Sequence, residues 1–514
     1  MSEGRLLPTE RLLLTGGDAR IAADPANAGR PDPQLAALGS STASRISAEG
    51  FAAADRLRQR IVAATGTHGL GPALAYAREL ERMRDELREL CGLADLPGLD
   101  IVFAASGTDL HLIAAQISGG SPSRPTLAVM VDPAETGSGV PAALAGRHFS
   151  ALAALGESVG VGLSIAGSGA LEVATVPLRL AEGDPRAAAA VDAEVESLAI
   201  DAQASGRRVL LTLVDQSKTG LIAPSVACVL GLARRLPDSL DVLVDACQFR
   251  MAPRTLRAYL DQGFMVALTG SKFLTGPSFA GALLIPAGVS ERLRRRPLPD
   301  ALLAYSCRAD WPRDWDAAGS LKDVANFGLL LRWEAALQEL RAYRRLSARA
   351  IDGFLRAFAQ AVGARLQADP LFSPLPVPCL DRCPLLDASA DPDPDWDGVQ
   401  TIFPFVLYHP ETAAGKRPLN RDETAQVYRL LQADLSAAGL PGAVARLRCQ
   451  LGQPVQCGSR DGIPVSALRL CASARLVIEA CAGGEAAVID RALAALDKTA
   501  AIVRSGLASQ RTTQ

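Results

Sequence analysis

Seven short apolar runs, rich in β-branched residues, lie between residues 100 and 285 and alternate with helical stretches or loops. They read DIVFAA (100–105), TLAVMV (126–131), LEVATV (171–176), VLLTLV (209–214), DVLVDA (241–246), FMVALT (264–269) and GALLI (281–285). Polar residues hardly alternate with the apolar ones, which is typical of strands that are buried on both faces. A sheet of that kind needs helices on each side. The runs therefore predict a three-layer α/β/α domain around a mostly parallel, seven-stranded sheet.

The rest of the chain divides into an arm and a smaller domain. Residues 1–50 are rich in Gly, Pro and Ser and predict an extended arm, whereas residues 51–335 would form the large domain. A strongly helical stretch over 326–362 leads into residues 336–514. There we expect a small α+β domain with strands in TIFPFVLYH (401–409) and SALRLCA (466–472) and helices near 422–438 and 485–505.

Composition excludes several classes of partner. The 514 residues carry a formal net charge of −2 at pH 7, which gives no electrostatic bias toward nucleic acid or a membrane surface. No apolar stretch reaches the roughly 18 residues of a membrane span, and we find no signal peptide. The ten cysteines are scattered without zinc-site spacing, and there are four histidines. We therefore expect a cytoplasmic protein with reduced thiols and no metal site.

Lysines are scarce, and one of them stands in an unusual place. Lys272 follows FMVALTGS, so it would leave the end of a buried strand, where a charge must be solvated. Lys218, in VDQSKTG, is the only serious competitor. Asp245 ends another apolar run and is either a helix cap or an acid placed for chemistry. Open α/β sheets bind ligands at the carboxyl ends of their strands, so Lys272 and Asp245 are candidate site residues. The other three lysines lie in polar or helical contexts typical of a surface: Lys322, Lys416 and Lys498.

The segment AASGTD (104–109) follows the first apolar run and precedes a helical stretch. The backbone N–H groups of Gly107 and Thr108 at a helix start, with the hydroxyl of Ser106, would bind a phosphate dianion. The alternative interpretation is an ordinary N-cap serine. An amine, an acid and a phosphate cradle at strand ends are what an enzyme of pyridoxal phosphate (PLP) requires of its protein. PLP is therefore the expected cofactor.

Four elements of the chain resemble the class V aminotransferases, and among them the cysteine desulfurases and selenocysteine lyases. Asp245-Ala246-Cys247-Gln248 is similar to the family's D-x-x-Q element, and Thr269-Gly270-Ser271-Lys272 is similar to its S-G-H-K element. Ser106-Gly107-Thr108-Asp109 is similar to the phosphate loop S-G-A-T-E, and the segment 216–224 is similar to N-N-E-x-G-x-x-x-P. The resemblance spans most of the chain. It implies a fold-type-I PLP-dependent transferase fold and an enzyme that acts on an amino acid.

The resemblance also implies a role for individual residues. Lys272 would form the Schiff base with PLP, Asp245 would contact the pyridine nitrogen, and Gln248 would contact the ring hydroxyl. Lys218 then becomes a neighbour of the ring. The other residues implied in cofactor binding are Ser106, Gly107, Thr108, Gln216, Ser217, Thr269 and Ser271.

Two segments are similar to the parts of this family that face the substrate. Arg469, in the run SALRLCA, matches the arginine that holds the substrate α-carboxylate as a bidentate clamp. Alternatively, it is a surface arginine on an edge strand. The segment GSSTASRISAEGFAAA (39–54) resembles the arm that folds over the active site. This resemblance implies that Ser41 and Thr42 bind the substrate.

A loop of the partner subunit often caps the cofactor phosphate in the family. Gly319-Ser320 stands where that loop is expected. The resemblance therefore implies a homodimer with a shared active site.

The chain also departs from the family. The histidine that usually stacks on the PLP ring stands about 28 residues after the phosphate-binding threonine, a spacing that leads here to Thr136. No aromatic residue is available there, so Glu135 or Thr136 would cover the ring. The family's histidine before the lysine is Ser271, which removes a proton carrier and makes altered reaction chemistry plausible.

A desulfurase needs a cysteine on a mobile loop to take the sulfur. Cys457, in GQPVQCGSRDG, stands twelve positions before Arg469 in a glycine-containing segment that we interpret as a loop. The residues around it do not match the family's cysteine loops. Cys457 is therefore a candidate sulfur acceptor, and its reactivity depends on its surroundings in the fold.

Three hypotheses for the function follow. The first is a cysteine-desulfurase-like or C–S (β-elimination) lyase, in which Lys272 removes the α-proton and the reaction passes through an external aldimine and a quinonoid. The second is an aminotransferase of class V type, in which Lys272 moves the proton between substrate and cofactor. The third is a non-catalytic scaffold with a PLP fold, against which intact Lys272 and Asp245 argue.

Overall fold

The computed structural model describes residues 7–15, 29–39, 45–66, 69–121, 123–294, 296–386, 396–411, 415–440 and 442–509. The strands in these stretches are β1 (Leu35–Ala37), β2 (Asp100–Ala104), β3 (Thr126–Val131), β4 (Leu171–Val176), β5 (Arg208–Asp215), β6 (Ile222–Ala223), β7 (Leu240–Asp245), β8 (Met265–Thr269), β9 (Gly281–Ile285), β10 (Phe372–Pro374), β11 (Ile402–Leu407), β12 (Arg448–Gln450), β13 (Gly452–Arg460) and β14 (Ile463–Cys471). The α-helices are α1 (Thr9–Thr15), α2 (Ala48–Gly66), α3 (Pro72–Leu90), α4 (Gly107–Ser118), α5 (Val140–Leu144), α6 (Ala188–Ala204), α7 (Val226–Arg235), α8 (Pro253–Asp261), α9 (Ala287–Leu293), α10 (Phe327–Tyr343), α11 (Ala348–Ala368), α12 (Arg421–Leu431), α13 (Gly442–Arg446), α14 (Ala474–Glu479) and α15 (Glu485–Arg504).

The large sheet has the order β2-β9-β8-β7-β5-β3-β4, and the short strand β6 pairs with β5 beside it. Neighbours along this order are parallel except at β9, which is antiparallel to both β2 and β8. No helix separates β8 from β9, so the chain turns straight back instead of crossing over. All seven predicted strands are confirmed, and their bounds shift by no more than one residue.

Both faces of this sheet are covered. Along β2, Ile101 and Phe103 belong to the apolar core on one face, whereas Val102 and Ala104 belong to the core on the other face. β4, at the edge, is partly exposed. The runs thus lack polar alternation because the strands are buried on both faces, as expected. The three predicted layers are confirmed.

The smaller sheet has the order β10-β11-β14-β13 and is antiparallel throughout. β11 and β14 confirm the two predicted strands, and α15 confirms the last predicted helix. The helix expected near 422–438 is shorter, because α12 ends at Leu431, whose carbonyl accepts a hydrogen bond from the side chain of Lys498 at 3.2 Å.

The stretch predicted as helical over 326–362 consists of two helices, α10 and α11. Ser347 starts the second helix by accepting a hydrogen bond from the amide of Ala350 at 3.2 Å. α10 packs against α2 and α3. The proposed domain boundary after residue 335 therefore falls inside a helix that belongs to the core of the large domain, and the division of the chain into three parts stays a proposal.

Three further observations concern classes of site. No helix in the described stretches is long and apolar enough to cross a bilayer. Among the same residues, no cluster of three or more His, Cys, Asp and Glu side chains could hold a metal ion. All ten cysteines lie in described positions, and none forms a disulfide.

Candidate active site

A cavity of about 430 Å³ opens where β2, β5, β7 and β8 end. These strands run in one direction, so the loops that follow them meet at one edge of the sheet. The residues that the sequence predicted for the site and that line this cavity are Ser106, Gly107, Thr108, Thr136, Asp245, Gln248, Thr269, Ser271, Lys272 and Arg469. Lining residues that received no role from the sequence include His111, Phe149 and Gln453.

Asp245, the last residue of β7, contacts His111 of α4. Nδ1 of His111 lies 2.8 Å from the carbonyl oxygen of Gly107, and Nε2 lies 3.3 Å from Oδ2 of Asp245, an ion-pair distance without hydrogen-bond alignment. Burial by itself would raise the pKa of Asp245, but the neighbouring His111 and Lys272 outweigh it and hold this pKa well below its usual range. Asp245 is therefore a carboxylate at neutral pH.

The start of α4 forms one wall of the cavity. Helix geometry leaves the N–H groups of Gly107 and Thr108 without an acceptor inside the helix. Ser106 is the N-cap: its hydroxyl accepts from the amide of Asp109 at 3.2 Å and donates to the Asp109 carboxylate. The cap interpretation of Ser106 is thus correct, although the residue also lines the cavity. A Cβ on Gly107 would lie 3.0 Å from Sγ of Cys247, so the helix start approaches the strand ends as closely as glycine permits.

Lys272 lies on the tight loop that joins β8 to β9. The amide of Thr275 donates to the carbonyl of Lys272 at 3.0 Å, and the amide of Gly276 donates to that of Gly270 at 3.0 Å. A Cβ on Gly270 would lie 2.6 Å from Cβ of Ala336 in α10. The loop is therefore held between the sheet and α10, and the half-buried side chain of Lys272 extends from a fixed backbone into the cavity.

Arg469 reaches the same cavity from the smaller sheet. It lies on β14, which is an inner strand between β11 and β13, and it is only 3% exposed. Its guanidinium donates to the carbonyl of Lys218 at 3.1 Å and to the carbonyl of Gln453 at 2.8 Å. The alternative of an exposed arginine on an edge strand is wrong.

Lys218 lines the cavity beside Lys272, as the alignment with the family implied. Its Nζ donates to the carbonyl of Ala134 at 3.2 Å. Burial, together with the charges of Lys272 and Arg469, lowers the pKa of Lys218 to about 8. The cavity therefore holds a second amine that differs from Lys272 in being tied to the backbone.

Contrary to the prediction, the structure does not bring Glu135 to the cavity. Its carboxylate accepts hydrogen bonds from Arg179 Nε at 2.7 Å, Ser217 Oγ at 2.8 Å and the amide of Thr219 at 3.2 Å. A buried carboxylate with these donors has its charge and its lone pairs satisfied by the protein. The same network holds Ser217 away from the lining, and the buried Gln216 is not a lining residue either.

Thr136, the other candidate to cover the ring, does line the cavity. An aromatic residue is also present, but it comes from a later segment than the family spacing indicated. A Cβ on Gly139 would lie 3.2 Å from Cβ of Phe149 and 3.2 Å from Cγ2 of Thr108, so Phe149 packs close to the start of α4. Its place depends on the loop after α5, and no motif in the sequence marks it.

Cys457 lies on β13 and not on a loop, so that part of the prediction is wrong. The residue is 2% exposed, and its Sγ lies 3.9 Å from the carbonyl oxygen of Val465. Burial raises the pKa of the Cys457 thiol to about 11. The thiol does not line the cavity, and its surroundings oppose the thiolate that a sulfur acceptor needs.

The remaining predicted site residues lie outside this cavity. Gly319 and Ser320 form the end of a short 3-10 helix and are exposed. Neither lines the cavity of its own chain. Ser41 and Thr42 lie outside the described residues.

No protein-family model and no curated protein sequence matches the chain. Solved structures do. The cysteine desulfurase CsdA from Escherichia coli (S-sulfonic acid) is similar over 91% of this chain and 95% of its own, with a TM-score of 0.53 and 16% identity. A single-residue variant of a serine palmitoyltransferase with PLP is similar over 92% of both chains, with a TM-score of 0.51 and 12% identity. Identities this low show a shared fold, and the chain has the fold of the fold-type-I PLP enzymes, as its sequence elements predicted.

Proposed function

We propose that the chain is a PLP-dependent enzyme that acts on an amino acid, with Lys272 holding the cofactor covalently through Nζ. One observation carries this proposal: Lys272, Asp245 and the start of α4 line one cavity at the carboxyl ends of neighbouring strands. The solved structures with this fold support it, because their names describe a cysteine desulfurase and a transferase with PLP.

The residues at the cavity fit such a cofactor. Two buried polar atoms that line it have no hydrogen-bond partner in the described part of the chain, namely Oγ1 of Thr136 and Nε of Arg469. A buried polar atom without a partner is unfavourable, so these atoms favour a polar ligand. The start of α4 offers N–H groups and a positive helix end to a phosphate.

Each charged group then has one task. PLP, when bound, would withdraw electrons from Cα of the substrate and make its proton acidic. The Asp245 carboxylate, kept ionised beside His111, would keep a proton on the ring nitrogen. Arg469 would hold the α-carboxylate, and Nζ of Lys272 would take the proton from Cα.

For the reaction we propose elimination at Cβ, as in a C–S lyase or a desulfurase-like enzyme. In this reaction Lys272 takes the Cα proton while the bond between Cβ and the leaving group breaks with its electron pair. The likeness to a cysteine desulfurase over most of both chains supports this choice. The buried Cys457 indicates that the leaving group departs without being captured by that thiol.

An aminotransferase is the second candidate. The burial and raised pKa of Cys457 oppose a desulfurase that passes sulfur to this thiol, and transamination, like elimination, needs no acceptor thiol. In transamination Lys272 would return the proton to the cofactor carbon, and no group would leave Cβ. A scaffold without catalysis remains the third hypothesis, and the arrangement of Lys272 and Asp245 in one cavity argues against it.

The proposal includes a homodimer in the cytoplasm. Gly319 and Ser320 are exposed and do not line the cavity of their own chain, as expected of a loop that caps the phosphate of a partner. The ten free cysteines support a reducing compartment.

Borohydride reduction of the PLP-loaded protein, followed by peptide mapping, tests the covalent link. We expect the pyridoxyl group on Lys272, because its loop is held between the sheet and α10 and its side chain extends into the cavity that Asp245 also lines. A pyridoxyl group on Lys218 would overturn the assignment. The same preparation distinguishes the reactions: release of pyruvate and sulfide from an amino acid indicates elimination, release of alanine indicates desulfuration, consumption of a keto acid indicates transamination, and no spectral response to amino acids indicates a scaffold.

A further inference from the structure

The charges that line the cavity are unbalanced. The cations are Lys218, Lys272 and Arg469, and the only carboxylate among the lining residues is that of Asp245. Asp245 is already engaged, because its Oδ2 lies 3.3 Å from His111 and its Oδ1 accepts from the amide of Cys247 at 3.1 Å. Cations in a partly buried cavity are stable when an anion lies nearby.

Part of this positive charge is accounted for by the proposed function. Lys272 would hold PLP, and Arg469 would hold the α-carboxylate of the substrate. The start of α4 would hold the phosphate of PLP. Lys218 is then left without an anion. Neither Lys218 nor Arg469 has a carboxylate within ion-pair distance in the stretches that the structure describes.

The nearest acid does not neutralise Lys218. The backbone amide of Lys218 donates to the carbonyl of Glu135 at 2.8 Å, so the two residues are adjacent. The Glu135 carboxylate, however, is paired with Arg179 at 2.7 Å and accepts hydrogen bonds from Ser217 and Thr219. Its charge is compensated on the side away from the cavity.

Lys218 and Arg469 also have a fixed spacing. Arg469 donates to the carbonyl of Lys218 at 3.1 Å, and Nζ of Lys218 donates to the carbonyl of Ala134 at 3.2 Å. Two cations that are each held by backbone carbonyls and that open into one cavity are suited to a molecule with two negative groups.

We propose that the substrate is an amino acid whose side chain carries an anionic group, a carboxylate or a sulfinate, and that this group binds Lys218 while the α-carboxylate binds Arg469. This inference rests on the proposed function in its coarser form, a PLP enzyme that acts on an amino acid. L-Aspartate and L-glutamate carry no group at Cβ that leaves with its electron pair, so they would react by transamination, the second candidate. The inference makes Lys218 a residue that determines specificity and leaves Lys272 as the residue that moves the proton.

The test is a titration of the PLP-loaded enzyme, followed through the absorbance of the bound cofactor. The ligands are L-aspartate, L-glutamate and L-cysteine sulfinate, compared with L-asparagine, L-glutamine and L-alanine. We expect at least one anionic amino acid to bind about tenfold more tightly than its neutral counterpart, since that ratio is typical of one charge-assisted contact. Lys218→Met should remove this preference, Lys218→Arg should keep it, and Lys322→Met, at an exposed lysine, should leave it unchanged.

The pH dependence has a definite sign. The charged groups around Lys218 are Lys272 and Arg469, which lower its pKa, and Glu135 and Asp132, which raise it. Lys218 loses its positive charge as the pH rises above about 8. The preference for anionic side chains should therefore weaken above that pH, and it should do so less in Lys218→Arg.

Three results would overturn the inference. Equal affinity of the wild type for acids and amides would show that Lys218 does not bind a side chain. A uniform loss of affinity for all amino acids, or of PLP itself, in Lys218→Met would show that Lys218 serves the cofactor. The absorbance of lysine-bound PLP separates these results from a failure of the proposed function, because without that absorbance both proposals fail together.

Discussion

The pairing of Asp245 with His111 determines the charge that the cavity would present to the ring nitrogen of the proposed cofactor. A carboxylate that is fully surrounded by protein normally gains a proton, because burial disfavours its charge. Here the neighbouring His111 and Lys272 reverse that tendency. His111 itself is positioned by the carbonyl of Gly107, so the helix whose N-terminus is proposed to bind the cofactor phosphate also supports the charge of the acid.

Replacement of Asp245 by alanine should leave PLP bound and abolish turnover. Lys272 and the start of α4 remain to hold the cofactor, but the proton on the ring nitrogen loses its partner, so we expect the rate to fall by about 10²-fold or more. Cofactor content by absorbance and turnover of the best amino acid provide the measurement. Asp261→Ala, on the exposed end of α8, is the control, and full activity in Asp245→Ala would contradict the role.

At the scale of residues, position along a strand could be predicted and contact across the fold could not. Lys272 and Asp245 were predicted because Asp245 ends one buried run and Lys272 follows another. The carboxyl ends of parallel strands lie at one edge of the sheet, so residues there come close together. Glu135 was misplaced because its partners, Arg179 and Thr219, are more than 40 residues away in the sequence. Nothing local in the sequence reveals that its carboxylate is already satisfied.

At the scale of elements, one lysine joins three segments of the C-terminal part of the chain. Lys498, on α15, is fully buried, whereas its sequence context suggested a surface. Its Nζ donates to the carbonyls of Leu431 at 3.2 Å, Ala433 at 2.6 Å and Leu447. The ammonium group thus donates to carbonyls at and just after the end of α12, which receive no hydrogen bond from an N–H group of the helix.

We expect Lys498→Met to destabilise the protein by about 2–3 kcal/mol, because the methionine fills the space but leaves buried carbonyls without a donor. The midpoint of urea denaturation of the PLP-loaded protein measures the effect. Lys322→Met removes an exposed lysine and should change the midpoint little. Equal midpoints for the two variants would show that water replaces the ammonium group.

The strands that were predicted differ in what defines them from β13, one of those that were missed. The seven runs of the large sheet carry their own signal, since β-branched residues fill both faces. β13, with the sequence GQPVQCGSR, contains Gly, Pro and polar residues and was interpreted as a loop. It is a strand because it pairs with β14, with two register shifts along the way. Its conformation is imposed by its neighbour, so the local sequence does not predict it.

At the scale of the whole molecule, the site of one chain is proposed to be completed by a second chain. Gly319 and Ser320 lie at the surface, next to Ala318, which is part of the buried core. The end of this short helix is therefore held firmly while its last two residues face outward. An isologous dimer would use this feature twice, once in each site.

Mixed dimers test this arrangement. Lys272→Ala should be inactive, and Ser320→Glu should be impaired because its charge repels the phosphate held by the partner. When the two variants are unfolded together and refolded, random pairing should restore activity to about a quarter of the wild-type level, since half of the dimers each contain one intact site. No recovery on mixing, or full activity of Ser320→Glu alone, would contradict a shared site.

The antiparallel strand β9 has a consequence for how this protein tolerates change. Gly281 is paired with Ala104 on one side and with Thr269 on the other, so a single residue sets the distance between the loop before α4 and the loop of Lys272. Inserting or deleting one residue between 270 and 280 would slip this register and turn every side chain of β9 to the opposite face. The separation of the two loops therefore depends on the length of one connection.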